Sequence, residues 1–234
     1  MKIEINNLSL KFADKYIFNG LSTTFNSGTI NLIKGKNGAG KTCFLQCLCG
    51  VIPKHFQGVV EGGGDDSGFG IRNLELSHSR NCERSEAILS GEKENWVNNS
   101  ELANFAYLMQ EPDKQLCFPF IEEELFFGAE NFCRDKDEFF SDYEELVQIF
   151  PILENQNKET SALSFGEKKV LLLCSQILKN SEIFLLDEPL AGLSELYRTK
   201  FIELIIKLKN KNKIIVIAEH TNMFDDIADQ IIEL

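Results

Sequence analysis

The run Gly35-Lys36-Asn37-Gly38-Ala39-Gly40-Lys41-Thr42 satisfies the spacing GxxxxGK[ST], and no other feature of the chain narrows its fold so far. The residue types have physical reasons. Glycines let backbone N–H groups curl around phosphate oxygens without Cβ clashes. A helix beginning there adds its N-terminal partial positive charge. Lys41 is placed for the β- and γ-phosphates, and the Thr42 hydroxyl for Mg²⁺. The flanks agree. Thr29–Lys34 is a short apolar strand bounded by Ser27-Gly28 and Gly35, and an apolar helix is expected from Thr42 to about Cys49, ending at Gly50. The expected phosphate-contacting set is Gly35, Asn37, Gly38, Ala39, Gly40, Lys41, Thr42 and Cys43. A nucleotide with Mg²⁺ is the implied ligand.

A phosphate loop alone does not choose between a kinase, a GTPase and a transport ATPase. Two further motifs narrow the choice. Ile183-Phe-Leu-Leu-Asp187-Glu188 is an apolar run ending in two carboxylates. Asp187, at a strand end beside the phosphate loop, is placed to hold Mg²⁺. Glu188 is placed to polarise an attacking water as general base. Without the phosphate loop, an acidic turn before Pro189 explains the same residues equally well. Leu163-Ser164-Phe-Gly166-Glu167-Lys168 precedes the apolar run Val170–Cys174. Ser164 and Glu167 form the S-x-x-E capping box. The same helix start, with a serine hydroxyl and a glycine, is also an anion site. Read by itself, the cap is the better explanation.

Composition sets the outer limits. The chain has 234 residues, 43% of them hydrophobic, enough for a sizeable core and against disorder throughout. Lys plus Arg number 24 and Asp plus Glu 36, a net charge of −12. Binding to nucleic acid through phosphate contacts favours the opposite balance, so no nucleic-acid partner is expected. The seven cysteines form no CxxC pair and no regular spacing, so free thiols in a reducing cytosol are expected, with no zinc site or disulfide framework. The N-terminal MKIEINNLSLKF has polar residues every few positions and does not read as a secretory leader. No apolar run reaches the length of about 18 residues that a membrane-crossing helix needs.

Along the chain, Lys2-Ile-Glu-Ile and Leu8–Phe12 each alternate as strands. Residues 61–100 are turn-rich and polar, with weak periodicity, and read as an edge insertion of loops and short strands. Buried strands are expected at Leu102–Met109, Glu182–Leu186 and Ile214–Ala218. Helices are expected within 120–150 and at Phe165–Leu178. This alternation argues for a partly parallel α/β sheet.

Taken together, Gly35–Thr42, Leu163–Lys168, Ile183–Glu188 and His220 stand in the order found in ABC-type ATPases, and the chain resembles that family over nearly its whole length. Leu163-Ser-Phe-Gly-Glu resembles the family signature, usually LSGGQ, with Phe165 and Glu167 as departures. The resemblance implies an α/β P-loop NTPase core of ABC type, with an antiparallel β subdomain and an inserted α-helical subdomain. It implies one ATPase domain over 1–234, with the helical signature subdomain at about 111–180 and the variable insertion at about 61–100. Gln110 then matches the glutamine that senses Mg²⁺ and links to the membrane partner. His220 matches the switch histidine at the γ-phosphate, and Phe12 the aromatic that stacks on adenine, with Tyr16 the other candidate. By the same resemblance Lys41, Gln110, Glu188 and His220 are the catalytic set. Thr42, Gln110 and Asp187 hold the metal, and Ser164, Gly166 and Glu167 bind nucleotide from the signature. Ala191-Gly-Leu-Ser194 matches a loop that ordinarily ends in aspartate; serine there can cap the following helix but cannot carry a negative charge across a dimer interface.

Gln110-Glu-Pro-Asp-Lys-Gln115 and Glu122-Glu-Glu-Leu-Phe-Phe-Gly128-Ala-Glu-Asn131 resemble the energy-coupling-factor and cobalt-type importer branch, as do Gly50-Val-Ile-Pro53 and Gly58. That branch implies uptake of a vitamin or a transition-metal ion. It implies a second ABC ATPase subunit, identical or paralogous, a transmembrane coupling subunit and a substrate-binding membrane subunit. The chain would lie at the cytoplasmic face of the membrane. Glu122, Glu123 and Glu124 are expected to offer an acidic docking patch to a basic coupling helix. The rival reading is a soluble ABC ATPase acting in repair or translation.

Overall fold

The computed structural model describes residues 1–12, 15–49, 60–61, 104–131 and 134–234, and of Phe12, Val60 and Glu61 it describes the backbone. The expected insertion at 61–100, Gly50–Pro53 and Gly58 therefore lie outside the described residues, apart from the backbone of Glu61.

Eight strands and five α-helices make up the described chain: β1 (Lys2–Phe12), β2 (Lys15–Asn26), β3 (Thr29–Lys34), α1 (Lys41–Leu48), β4 (Val60–Glu61), β5 (Phe105–Leu108), α2 (Ile121–Asn131), α3 (Lys136–Ile149), α4 (Phe165–Leu178), β6 (Ile183–Asp187), α5 (Glu195–Asn210), β7 (Ile214–Glu219) and β8 (Gln230–Glu233). Short 3-10 turns occupy Pro112–Lys114, Pro151–Glu154 and Thr160–Ala162. They form two sheets, one three-stranded in the order β2-β1-β4 and one five-stranded in the order β5-β6-β7-β3-β8. Every pairing in the first is antiparallel and every pairing in the second is parallel.

β3, β5, β6 and β7 of the parallel sheet are covered on both faces, as their apolar runs require, while the edge strand β8 is partly exposed. β6 shows how. Phe184 and Leu186 join the core shared with α2, α3, α4 and α5. Ile183 and Leu185 face the other core, built with α1 and the β1–β2 hairpin. The sheet is thus the middle layer of three.

The two alternating stretches at the N-terminus form one strand. Ile3 and Ile5 point inward, and so do Leu8 and Leu10. That spacing shifts the inward parity by one residue, and the pairing with β2 shifts register between Ile5 and Leu8. Asn7 makes the shift with a left-handed φ of 54°, its N–H donating to Ser22 Oγ at 2.8 Å. This is the geometry of a β-bulge, which sequence alternation alone reads as a break.

Candidate functional site

Four neighbouring parallel strands, in the order β5, β6, β7 and β3, end side by side. Leu108 pairs with Leu186, Asp187 with Ala218, and Lys34 with Glu219. The residues that follow these strands are Gln110, Glu188, His220 and Gly35. They therefore emerge on one edge, where open parallel sheets place their ligand sites.

The phosphate loop connects β3 to α1. Gly38 and Gly40 have φ of 82° and 102°, open to glycine and strained for other residues. A Cβ on Gly40 would lie 2.2 Å from Ile17 Cγ2, so the β1–β2 sheet presses directly on the loop. Around Gly38 the space is open. The ladder of α1 begins with Phe44 N–H bonding the Gly40 carbonyl at 2.8 Å. The amides of Lys41, Thr42 and Cys43 are thus the open donors of the helix start. Lys41 is 6% exposed, and its Nζ donates to the carbonyls of Gly35 at 2.9 Å and Lys36 at 3.3 Å. The Cys43 thiol is raised by burial and by the nearby Asp187 charge, which makes it a weak nucleophile.

Thr42 Oγ1 donates to Asp187 Oδ2 at 2.7 Å. Asp187 is 2% exposed. Burial pushes its pKa up and the Glu188 charge adds to that, against the Thr42 bond and the charges of Lys169 and Lys41. An oxygen pair of this kind suits a hard oxygen-preferring cation such as Mg²⁺. The open-amide cradle, the buried lysine and this pair fit a nucleotide with its metal.

Glu188 is the meeting point. Gln110 Nε2 donates to its Oε2 at 2.9 Å. His220 Nδ1 lies 3.4 Å from its Oε1 and 3.2 Å from Glu219 Oε1. Glu188 itself has φ of 45°.

The sequence-expected signature residues sit elsewhere. Ser164 Oγ accepts from Glu167 N–H at 3.3 Å, and Glu167 Oε2 accepts from Ser164 N–H at 2.8 Å, closing the capping box on α4. Burial draws the Glu167 pKa upward, but the Ser164 bonds and Lys158 outweigh it and the result is lowered. Gly166 backs onto the 190–194 turn, where a Cβ would stand 2.7 Å from the Gly192 carbonyl oxygen. Among the described residues no hydrogen bond joins Ser164, Gly166 or Glu167 to the phosphate loop. Ser194 caps α5 as expected, accepting from Tyr197 N–H at 3.3 Å. Phe12 closes β1, and its side chain lies outside the described residues; Tyr16 is exposed, with Lys11 Nζ 5.5 Å from its ring centre.

Glu124 corrects the expected acidic patch. Its carboxylate turns inward, 8% exposed, and accepts from the N–H groups of Cys117 and Phe118 at 2.9 and 3.1 Å. Only Glu122 and Glu123 of the three remain on the surface side.

Three contacts were missed by sequence reading. Lys169 is fully buried and donates from Nζ to the Glu188 carbonyl. Burial pushes its ammonium down to about 8, against the pull of Asp187, Glu188 and Glu219. Glu219, 3% exposed, accepts from the N–H groups of His220 and Thr221 at 3.0 and 3.3 Å. Lys168 Nζ reaches Asp113 Oδ1 at 2.5 Å, tying α4 to the turn after Gln110. A lysine among apolar residues of a core-facing helix was the one available signal for Lys169.

The profile of the ABC transporter family matches residues 18–191. A protein of Sulfurisphaera tokodaii, provisionally named an ABC transporter ATP-binding protein, is 31% identical over 99% of this chain and 45% of its own length. The chain spans 28% of a similarly named relative from Methanosarcina acetivorans, at 27% identity over 86% of this chain. An energy-coupling factor transporter ATP-binding protein of Thermotoga maritima is 23% identical over 100% of this chain and 78% of its own. Among solved structures, the ATP binding subunit of an ABC transporter superposes with a TM-score of 0.75 at 18% identity, covering 100% of this chain and 86% of that one. CbiO1 of Clostridium perfringens, part of the transporter complex CbiONQ, gives 0.68 at 19% identity over 99% and 83%. At such identities the superpositions speak for the fold.

Proposed function

The chain belongs to the ABC transporter family, and on that premise we propose that it is the ATP-hydrolysing subunit of a membrane importer. In this reading it pairs with a second ABC ATPase subunit around ATP. Closure and reopening of the pair drive uptake of a vitamin or transition-metal ion through a transmembrane coupling subunit and a substrate-binding membrane subunit. The carrying observation is the convergence of Gln110 and His220 on the Glu188 carboxylate, beside the Thr42–Asp187 pair.

The chemistry follows from these groups. Lys41 exchanges its two neutral carbonyl partners for anionic β- and γ-phosphate oxygens, a stronger charge-assisted bond. Thr42, Asp187 and Gln110 would hold Mg²⁺, which when bound would supply positive charge against the developing negative charge of the phosphates. Glu188 accepts the proton of a water whose oxygen attacks the γ-phosphorus. The bond to the β–γ bridging oxygen breaks, leaving ADP and inorganic phosphate. Gln110 and His220 keep the Glu188 carboxylate oriented for that proton. Tyr16 or Phe12 stacks on adenine.

Two observations support assembly. The α4 start is bonded away from its own phosphate loop, so Ser164, Gly166 and Glu167 are available to a nucleotide on a second cassette. The Phe118 and Phe127 rings meet at 4.7 Å, and Phe120 and Phe127 are 40% and 51% exposed. That surface suits a coupling helix with apolar and basic residues. Among the described residues no helix is long and apolar enough to cross a membrane, in keeping with a peripheral subunit at the cytoplasmic face. The reading treats the whole chain as one cassette, with 111–180 as its signature region and 61–100 as an edge insertion.

The test is Glu188→Gln with saturating Mg-ATP. Phosphate release should stop while an ATP-dependent dimer accumulates on size exclusion. A variant that stays monomeric, alone and with its co-purified cassette, would count against the paired mechanism. Affinity purification from detergent-solubilised membranes should bring a polytopic subunit. Recovery from the soluble fraction alone would move the assignment to a soluble ABC ATPase.

A further inference from the structure

We propose that Lys169 is a positioning residue for hydrolysis, holding the left-handed turn at Glu188 and tying it to the start of the signature helix; this rests on the ATPase reading above. Glu188 stands before Pro189, whose ring ordinarily drives the preceding residue to an extended conformation. Its observed φ of 45° is left-handed instead, a state sterically disfavoured for a residue with a side chain. Something must hold it there. On one side, the Glu188 N–H bonds the Ala218 carbonyl at 2.9 Å. On the other, the Glu188 carbonyl accepts from Ala191 N–H at 3.2 Å and from Lys169 Nζ.

The choice of a lysine for this bond is informative. Lys169 is 0% exposed, and a buried ammonium is costly unless its donors are used. A core position on α4 is more cheaply filled by an apolar residue. Lys169 instead ends on the main chain of the residue whose side chain meets Gln110 and His220. Its Nζ also lies 5.2 Å from the centre of the Phe165 ring. That ring presses on Gly192, where a Cβ would approach Phe165 Cδ1 to 2.5 Å. Lys169 therefore joins Glu188 to the Phe165 ring in the first turn of α4, and that ring packs on the 190–194 turn. A displacement of the signature start, as a second cassette engages it, is passed through Lys169 to the orientation of the Glu188 carboxylate.

Lys169→Met keeps the length and removes the donor, and Lys169→Arg restores a donor. The Met variant should bind ATP with a KM within about twofold of the parent and lose on the order of ten- to a hundredfold in kcat. Its melting temperature is measured alongside, because removing Lys169 also takes a compensating charge from the buried Asp187. The Arg variant should regain most of the lost kcat. A crystal structure of the Met variant should show Glu188 outside the left-handed region. An unchanged kcat, a persistent positive φ at Glu188, or a loss of kcat that merely tracks a lower melting temperature overturns the proposal. If the parent itself releases no phosphate, the ATPase reading fails, and the Glu188 conformation in the Met variant still decides the role of Lys169.

Discussion

Gln110 Nε2 and Glu188 Oε2 lie 2.9 Å apart although 78 positions separate them in the chain. The bond joins the loop after β5 to the loop after β6. It places Gln110, proposed above to link to a membrane partner, in direct contact with the proposed general base. His220 approaches the other oxygen of the same carboxylate.

Because both residues act on one carboxylate, their effects on hydrolysis should not add. Gln110→Ala and His220→Ala should each reduce phosphate release by about 10²-fold. The double variant should be little worse than either. A product of the two single effects in the double variant, read by steady-state phosphate release, would show that they act independently.

Thr42 and Asp187 predict how the metal contributes to nucleotide binding. Asp187→Asn should still bind ATP through Lys41 and the loop amides. Its gain in affinity from Mg²⁺ should shrink about tenfold or more. Titration calorimetry with Mg²⁺ and with EDTA measures both terms. An undiminished Mg²⁺ effect would remove Asp187 from the metal site.

Gly166→Ala should loosen the contact between the α4 start and the 190–194 turn. Its Cβ would meet the Gly192 carbonyl oxygen at 2.7 Å, a backbone atom that cannot swing aside. The expected loss is about 1–3 kcal/mol of stability, read by urea unfolding. A neutral substitution would mean that the turn moves freely.

Arg134 and Asp142 carry a pH dependence away from the site. Arg134 also bonds the carbonyl of Leu178 at 2.7 Å, so the pair fastens α3 to the end of α4. Burial draws the Asp142 pKa up, but the bonds from Arg134 and Lys211 and their charges outweigh it and leave it below its ordinary 3.8. A carboxyl lowered on folding stabilises above its unfolded pKa and loses that contribution as pH falls through the folded value. Asp142→Asn should therefore cost about 1–3 kcal/mol at neutral pH. The gap to the parent should close as the pH drops below 3.8. Urea unfolding of both proteins across that range checks it, and a constant gap would contradict the pairing.

Phe127→Asp should separate docking from chemistry. The ring is 51% exposed beside Phe118, and among the described residues no hydrogen bond or ring contact ties it to the phosphate loop. ATP hydrolysis by the isolated chain should be unchanged, while recovery of a membrane subunit in pull-down should fall sharply. Unimpaired recovery would move the docking surface elsewhere.

Elements governed by near neighbours were legible in the chain. β3 at Thr29–Lys34 and α4 at Phe165–Leu178 match their expected bounds. The capping box of Ser164 and Glu167 and the Ser194 cap need only bonds three residues away. β6 and β7 shifted or lengthened by one residue, the usual uncertainty at element ends. The β1 bulge was not legible, because a parity shift at Asn7 looks like a gap between two strands. Glu124 was misjudged for a related reason. A charged residue in the first turn of α2 reads as solvated until the 117–118 amides fold back over it.

The sequence by itself determined which chemical groups the protein carries and the short segments that hold them, since a phosphate loop, a cap and an apolar strand are set by residues a few positions apart. The tertiary structure decided which of those groups meet. Strand order and parallel register bring the ends of β5, β6, β7 and β3 side by side, and no local rule specifies either. That arrangement turns Gln110, Glu188 and His220 into one cluster. It also gives Lys169, a buried lysine in the core-facing helix α4, the Glu188 carbonyl as its partner.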